Sequence, residues 1–244
     1  MRQLEADANK EVGTEQTSCD TGRSVRDLRR RWKPHKQRLR EIASDHPTNL
    51  RIHRACSWLQ RAEEINDDKD LDLALMGQWV AFNALYSKWD STERQPCGDR
   101  QSWREFLNRI LQLDDTGHMS QVLQEHKRLV VAILRDEYLS SYFWEEPSSK
   151  RASQSKKAMH ESSTWYIEGN WTLILDRLIE RIYLLRCQLT HGAATFGGML
   201  NRTASRHCST MLQHLLPAII LVIADHGADE DWGETCYPPH AKQG

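Results

Sequence analysis

Apolar residues that recur every three to four positions are the feature that most limits how this chain can fold. The most regular run places apolar side chains at Trp171, Ile174, Leu175, Leu178, Ile182, Leu185 and Leu189. Side chains at this spacing share one face of an α-helix, and an apolar face must pack against other elements. No segment shows the sustained period-two alternation of a half-buried strand. The sequence therefore predicts an all-α fold.

Similar spacing divides the middle of the chain into further helices, and polar residues or glycines mark where several of them begin and end. Asp70 and Asn170 precede apolar runs and predict N-caps, while Gly192 follows the most regular run and predicts a left-handed C-terminal cap. A short helix is expected to begin at Ser102. The other helices are expected at residues 49–66, 71–89, 119–139, 171–189 and 203–226.

Shifts in composition predict the domain boundaries. Residues 1–46 form a polar and then basic N-terminal arm, residues 47–226 form one helical domain, and residues 227–244 form a polar tail. We expect the arm and the tail to be disordered or flexible, because such polar stretches bury little apolar surface. Within the domain, residues 147–163 are rich in serine and lysine and are expected to form a flexible loop.

The basic cluster at residues 23–40 has two interpretations. Its apolar residues Leu28, Trp32 and Leu39 are too sparse to predict a strong amphipathic stripe. A solvated, charged tail is the simpler interpretation. The alternative is a partly helical arm that attracts RNA by releasing counterions from its phosphates. The net charge of the whole chain is -1, so any nucleic-acid surface must be a local patch.

The sequence predicts a cytoplasmic protein that does not enter a membrane. Its first residues carry no apolar run of the kind found in signal peptides. The longest apolar stretch, Leu215–Ala224, is half the length needed to cross a bilayer.

Six scattered cysteines without a Cys-x-x-Cys pair are expected to be free thiols.

Arg186 and His191, at the end of the most regular helix, are the candidate catalytic residues. Five residues turn an ideal helix by about 500°, which leaves these two side chains about 140° apart rather than stacked. The long arginine side chain can swing toward the helix C-terminus, where a cation is favoured. On the residues alone, both can equally be cations that cap the helix.

The segment Leu184–Gly192, with its Arg186-x4-His191 spacing, resembles the motif of the HEPN superfamily. Members of that superfamily are helical bundles that carry the motif on a late helix. The stretch Trp79–Tyr86 resembles the aromatic-rich helix of Apea-like HEPN members, so the resemblance covers about residues 50–226. The chain departs from the family at Cys187, where many members have asparagine or another polar residue, and this departure bears on substrate positioning.

The resemblance implies a metal-independent endoribonuclease that needs no cofactor and acts on RNA through the 2′-hydroxyl. HEPN nucleases pair two chains so that two motifs share one cleft, which implies a homodimer with a composite site. His191 would act as general base or acid, and Arg186 would stabilise the charge on phosphate. Many HEPN proteins are toxins or antiviral defence effectors, so an antitoxin or regulatory protein is a further expected partner.

Three further residues are candidates for substrate binding. Asn83 interrupts an apolar helix and either points into the cleft or is a buried amide bonded to a neighbouring helix. Arg202 either binds phosphate or is a solvated residue at a helix start, and Cys187 directly follows the candidate arginine. One of the nine tryptophans could stack on a base, but the sequence does not indicate which.

Two other functions stay open from the sequence. A HEPN module without catalysis would bind RNA or a partner protein, and an unrelated helical interaction protein would use Arg186 and His191 only as caps. A zinc site could in principle use Cys187 with His191 or Cys236 with His240, which share a spacing of four, and the adjacent residues His207 and Cys208. Without paired-cysteine spacing, however, we predict that no metal is bound.

Overall fold

Helices make up nearly all of the regular structure that the computed structural model describes, which covers residues 24–65, 70–199 and 201–237. The all-α prediction is therefore confirmed. The remainder of the predicted arm and tail, residues 1–23 and 238–244, lies outside the described residues. The elements are α1 Val25–Ile42, α2 Pro47–Glu63, α3 Leu71–Tyr86, β1 Trp89–Asp90, β2 Gln95–Pro96, α4 Asp99–Leu113, α5 His118–Glu125, α6 Lys127–Arg135, a 3-10 turn Glu137–Leu139, α7 Ser141–Glu145, α8 Ser149–Ser155, α9 Lys157–Glu168, α10 Trp171–Thr190 and α11 Arg202–His226.

The core is built around α11, whose apolar side chains are buried along most of the helix. Met211, Leu215, Ile219 and Ile223 are at most 2% exposed. Helices α1, α3, α4, α5 and α6 all pack against α11. By length and composition α11 could span a membrane, but 72% of its most apolar window is buried inside the fold, as in the core helix of a globular protein.

The helix bounds follow the sequence patterns with four local differences. The helix predicted at 71–89 ends at Tyr86, and Trp89 belongs to β1. Asp70 precedes α3 as predicted, but its side chain makes no capping hydrogen bond. Ser102 lies inside α4 rather than before it, and its hydroxyl donates to the carbonyl of Gly98. The single helix predicted at 119–139 is divided at His126 into α5 and α6.

The prediction of a solvated basic arm does not hold for residues 24–42, which form α1. Val25, Leu28, Trp32 and Leu39 lie on one stripe of α1 and are at most 3% exposed. Their spacing is helical although the stripe is sparse, and the large indole of Trp32 supplies much of the buried surface. The basic residues of the cluster that belong to α1 occupy the other faces of the same helix. Two of them reach the end of α11 and the segment beyond it, through the ion pairs Arg31–Asp225 and Arg38–Asp229.

The prediction of a flexible loop at residues 147–163 is wrong, because this segment forms α8 and the first half of α9. Two of the serines that suggested a loop satisfy their hydroxyls within their own helices. Ser155 Oγ donates to the carbonyl of Arg151 at 2.7 Å, and Ser162 Oγ donates to that of Met159 at 2.6 Å. Serines bonded in this way can be buried, and their small size allows the helices to approach closely.

The first part of the predicted C-terminal tail, residues 227–237, packs against the domain instead of extending into solvent. Trp232 is 6% exposed, and its ring centroid lies 5.2 Å from that of Phe106. Arg51, which is 2% exposed, holds the segment in place. Its guanidinium donates to backbone carbonyls on both sides of the contact, those of Leu85, Ser87, Trp232, Gly233 and Glu234.

The role of α1 in the core can be tested with one buried and one exposed residue. We expect Leu28→Ala to lower the free energy of unfolding by about 2–5 kcal/mol, since it leaves a cavity between helices. The matched control Arg26→Ala changes an exposed residue of the same helix and should cost under about 0.5 kcal/mol. Urea denaturation measures both. Equal, small losses in the two variants would contradict the packing of α1.

Candidate functional site

The candidate site lies at the C-terminal end of α10, where local sequence fixes both ends of the helix. Asn170 caps the start, since its side chain accepts from the backbone N–H of Leu173 at 3.1 Å. Gly192 lies two residues beyond Thr190, the last residue of the helix, and its φ of +70° is the left-handed conformation that glycine adopts without strain. The N–H of Gly192 bonds to the carbonyl of Leu189, and the next N–H bonds to that of Gln188. This is a Schellman motif, and both predicted caps are confirmed.

A groove of about 700 Å³ opens beside this end of α10. One wall is formed by Leu184, Cys187, Gln188 and His191, which are spaced along a single stripe of the helix. The facing wall contains Asp136, Tyr138, Trp144 and the first residues of α11. The groove is therefore built where the end of α10, the start of α11 and the connection between α6 and α7 meet.

The structure brings three of the five predicted site residues to this groove. His191, Cys187 and Arg202 line it, whereas Arg186 and Asn83 do not. The separation of Arg186 from His191 follows from the angle of about 140° between residues five apart on a helix. Among the described residues, no hydrogen bond joins the two side chains. Within one chain they therefore face different spaces.

Arg186 lies against phenol rings rather than against a carboxylate. Its Cζ is 5.9 Å from the ring centroid of Tyr183, and its Nη1 is 3.9 Å from Cys187 Sγ. Its Nε is buried without a hydrogen-bond partner. Burial raises the pKa of Tyr183, and the positive charge of Arg186 opposes that shift. In the part of the chain that the structure describes, Arg186 has no acidic partner, so its charge is available to an anion.

Arg202, in contrast, already has a counter-ion. Its Nη1 lies 3.6 Å from Asp72 Oδ1, and both side chains are 13% exposed. The other oxygen of Asp72 accepts from the backbone N–H of Gly197 at 3.0 Å. Asp72 thus ties the segment between α10 and α11 to the start of α3. No local signal identified this role, because 125 residues separate Asp72 from Gly197.

A chain of amide hydrogen bonds spans the groove. Asn201 Nδ2 donates to Gln188 Oε1 at 2.9 Å, and Gln188 Nε2 donates to the carbonyl of Tyr138 at 2.7 Å. Asn201 precedes α11 in the left-handed conformation, with φ of +61°. Asn83 lies outside this network, and its buried Oδ1 has no hydrogen-bond partner among the described residues. The sequence analysis identified neither Gln188 nor Tyr138.

The residues that could bind zinc do not converge in the described part of the chain. There, no group of three or more histidine, cysteine, aspartate or glutamate side chains could hold a metal ion. Cys187 and His191 both line the groove, but no third ligand joins them. Cys208 is fully buried, and burial raises the pKa of its thiol. His240 lies outside the described residues.

Comparisons of the chain with protein-family models, with curated proteins and with solved structures give no match. The interpretation of the site therefore depends on its own residues and geometry.

The anchoring of the segment between α10 and α11 can be tested through Asp72. We expect Asp72→Ala to speed chymotrypsin cleavage at Phe196 several-fold, since the variant loses the bond to Gly197 and leaves Arg202 without a counter-ion. The control is Asp70→Ala, because the Asp70 side chain makes no capping hydrogen bond. Equal cleavage rates in the two variants would show that Asp72 does not hold this segment.

Proposed function

We propose that this protein is a metal-independent endoribonuclease whose site is completed by pairing two copies at the end of α10. The observation that carries the proposal is the pair of groups on the last turns of this helix. His191 is exposed at a groove, and Arg186 has no acidic partner among the described residues. These are the groups that the resemblance to HEPN nucleases singles out.

The two groups match what RNA cleavage requires. RNA carries its own nucleophile, so the protein must remove the proton from the 2′-hydroxyl, stabilise charge on the phosphate and protonate the departing 5′-oxygen. Histidine has a reference pKa of about 6.5 and can transfer protons near neutrality. The guanidinium of Arg186 stays protonated and can contact two phosphate oxygens at once. The products would carry 2′,3′-cyclic phosphate and 5′-hydroxyl ends.

A second copy of the chain would supply the arginine that the groove of one chain lacks. Within one chain Arg186 does not line the groove that contains His191. In a two-fold symmetric dimer the same surface patch of each copy meets the other, so Arg186 of one copy can approach His191 of its partner. Phe196 and Met199, which are 59% and 89% exposed, lie on the segment beside the groove. Large apolar side chains grouped on a surface commonly mark such interfaces.

A second candidate is a helical module that binds RNA or a partner protein without cleaving it. The ion pair between Arg202 and Asp72 favours the protein partner within this alternative, because it reduces the positive charge that the groove offers to a phosphate. Under either function, the biological setting implied by the resemblance is a toxin or an antiviral effector that an antitoxin or another regulatory protein restrains.

The cleavage proposal predicts that His191→Ala abolishes RNA cleavage in EDTA while the fold is retained, because His191 is exposed at a helix end. The matched control is His226→Ala, which removes another exposed histidine from the last turn of a helix. Arg186→Lys should also lose most activity, since lysine cannot bind phosphate in the bidentate manner. Gel analysis of labelled RNA measures all three variants, and circular dichroism checks their folding. Full cleavage by the His191 variant would contradict the proposal.

A further inference from the structure

Three aromatic side chains, Tyr138, Phe143 and Trp144, lie together at the wall of the groove. Their ring centroids are 5.3 Å apart for Tyr138 and Phe143 and 5.1 Å apart for Phe143 and Trp144. Tyr138 and Trp144 line the groove and are 47% and 48% exposed. Five of the nine tryptophans are buried in the core. The exposed rings of Tyr138 and Trp144 are therefore a distinct feature of the surface.

The indole of Trp144 is held in place although half of its surface is exposed. Its Nε1–H donates to the carbonyl of Tyr138 at 2.8 Å, and the same carbonyl accepts from Gln188 Nε2 at 2.7 Å. The indole is therefore tied to the amide network of the groove. An aromatic ring that is fixed before a ligand arrives loses little conformational entropy on binding.

We propose that Trp144, with Tyr138, is a stacking site for an unpaired base of single-stranded RNA. This inference rests on the proposed function and names its substrate class. Every base has an aromatic face that can stack on an indole, whereas the bases of a duplex already stack on one another. The adjacent amides of Gln188 and Asn201 suit the polar edge of a base better than they suit an aliphatic ligand.

The position of the aromatic site also relates it to the proposed cleavage site. Trp144 and His191 line the same groove, so a base stacked on Trp144 places its adjoining phosphates in the space that His191 faces. Asp136 is the only acidic side chain among the described residues that line this groove. We therefore expect cleavage beside an unpaired base and little cleavage within a duplex.

Binding can be measured without cleavage by using the His191→Ala protein in EDTA as the parent. Fluorescence anisotropy then compares a labelled single-stranded RNA with a duplex of the same sequence. We expect the single strand to bind more tightly, and Trp144→Ala to weaken its binding roughly tenfold or more. Trp144→Phe should retain most of the binding, because it keeps an aromatic face. The matched control is Trp58→Ala on α2, since Trp58 is 46% exposed.

The outcomes separate this inference from the proposed function. Unchanged binding by Trp144→Ala, equal affinity for duplex and single strand, or no RNA binding by the parent would each overturn the stacking site. The last result would leave a protein partner as the ligand of the aromatic cluster. If the wild-type protein does not cleave RNA but binding still depends on Trp144, the nuclease proposal fails and the stacking site stands. If the wild-type protein cleaves RNA and Trp144→Ala binds RNA normally, the nuclease proposal stands and the stacking site fails.

Discussion

The burial of α11 is the constraint on which the rest of the structure depends. A helix that is apolar on most of its surface must be surrounded by other helices, because each exposed leucine or isoleucine would cost about 1.5–3 kcal/mol. Helices α1, α3, α4, α5 and α6 supply that cover. Because α11 is held on several sides, its first residue, Arg202, is fixed beside Asp72 of α3. The groove is therefore positioned by the packing of the core.

A second constraint is the buried cation at Arg51. Burial lowers the pKa of its guanidinium to about 10, so it remains charged at neutral pH. Backbone carbonyls rather than a carboxylate surround it, and they come from the end of α3 and from residues 232–234. A buried charge that lost these acceptors would be strongly destabilising. The contact explains why so polar a segment as residues 227–237 packs against the domain.

Local patterns predicted most of the fold, and they were wrong where stability comes from distant contacts. The stripe and caps of α10 could be predicted because Asn170 and Gly192 act on backbone groups a few residues away. The residues of α1 are too polar to indicate a core helix. Trp32 is buried through contacts with distant elements, such as the hydrogen bond that its Nε1 donates to Asn49 Oδ1 of α2. The serines of α8 and α9 favour loops in isolation, and Ser155 and Ser162 are tolerated in buried helices because their hydroxyls bond to carbonyls of the preceding turn.

The difference between local patterns and distant contacts also decides which residues of the candidate site could be predicted. His191, Cys187 and Arg202 could be selected from one helix end and the residue that begins the next helix. Asp72 and Trp144 could not, since Asp72 reaches Arg202, and Trp144 reaches the groove, from distant parts of the sequence. The angle between Arg186 and His191 was predictable from helix geometry. The sequence does not show, however, that the groove lies on the His191 side of the helix. One chain therefore presents only His191, and not Arg186, to the groove.

The most direct test of the central claim is to mix two inactive variants, Arg186→Ala and His191→Ala, and to measure RNA cleavage. If Arg186 of one copy acts with His191 of its partner, each mixed dimer holds one intact pair, and the mixture regains a substantial part of the wild-type rate. If the mixture is as inactive as each variant alone while co-purification of differently tagged copies shows that mixed dimers form, the composite site is contradicted.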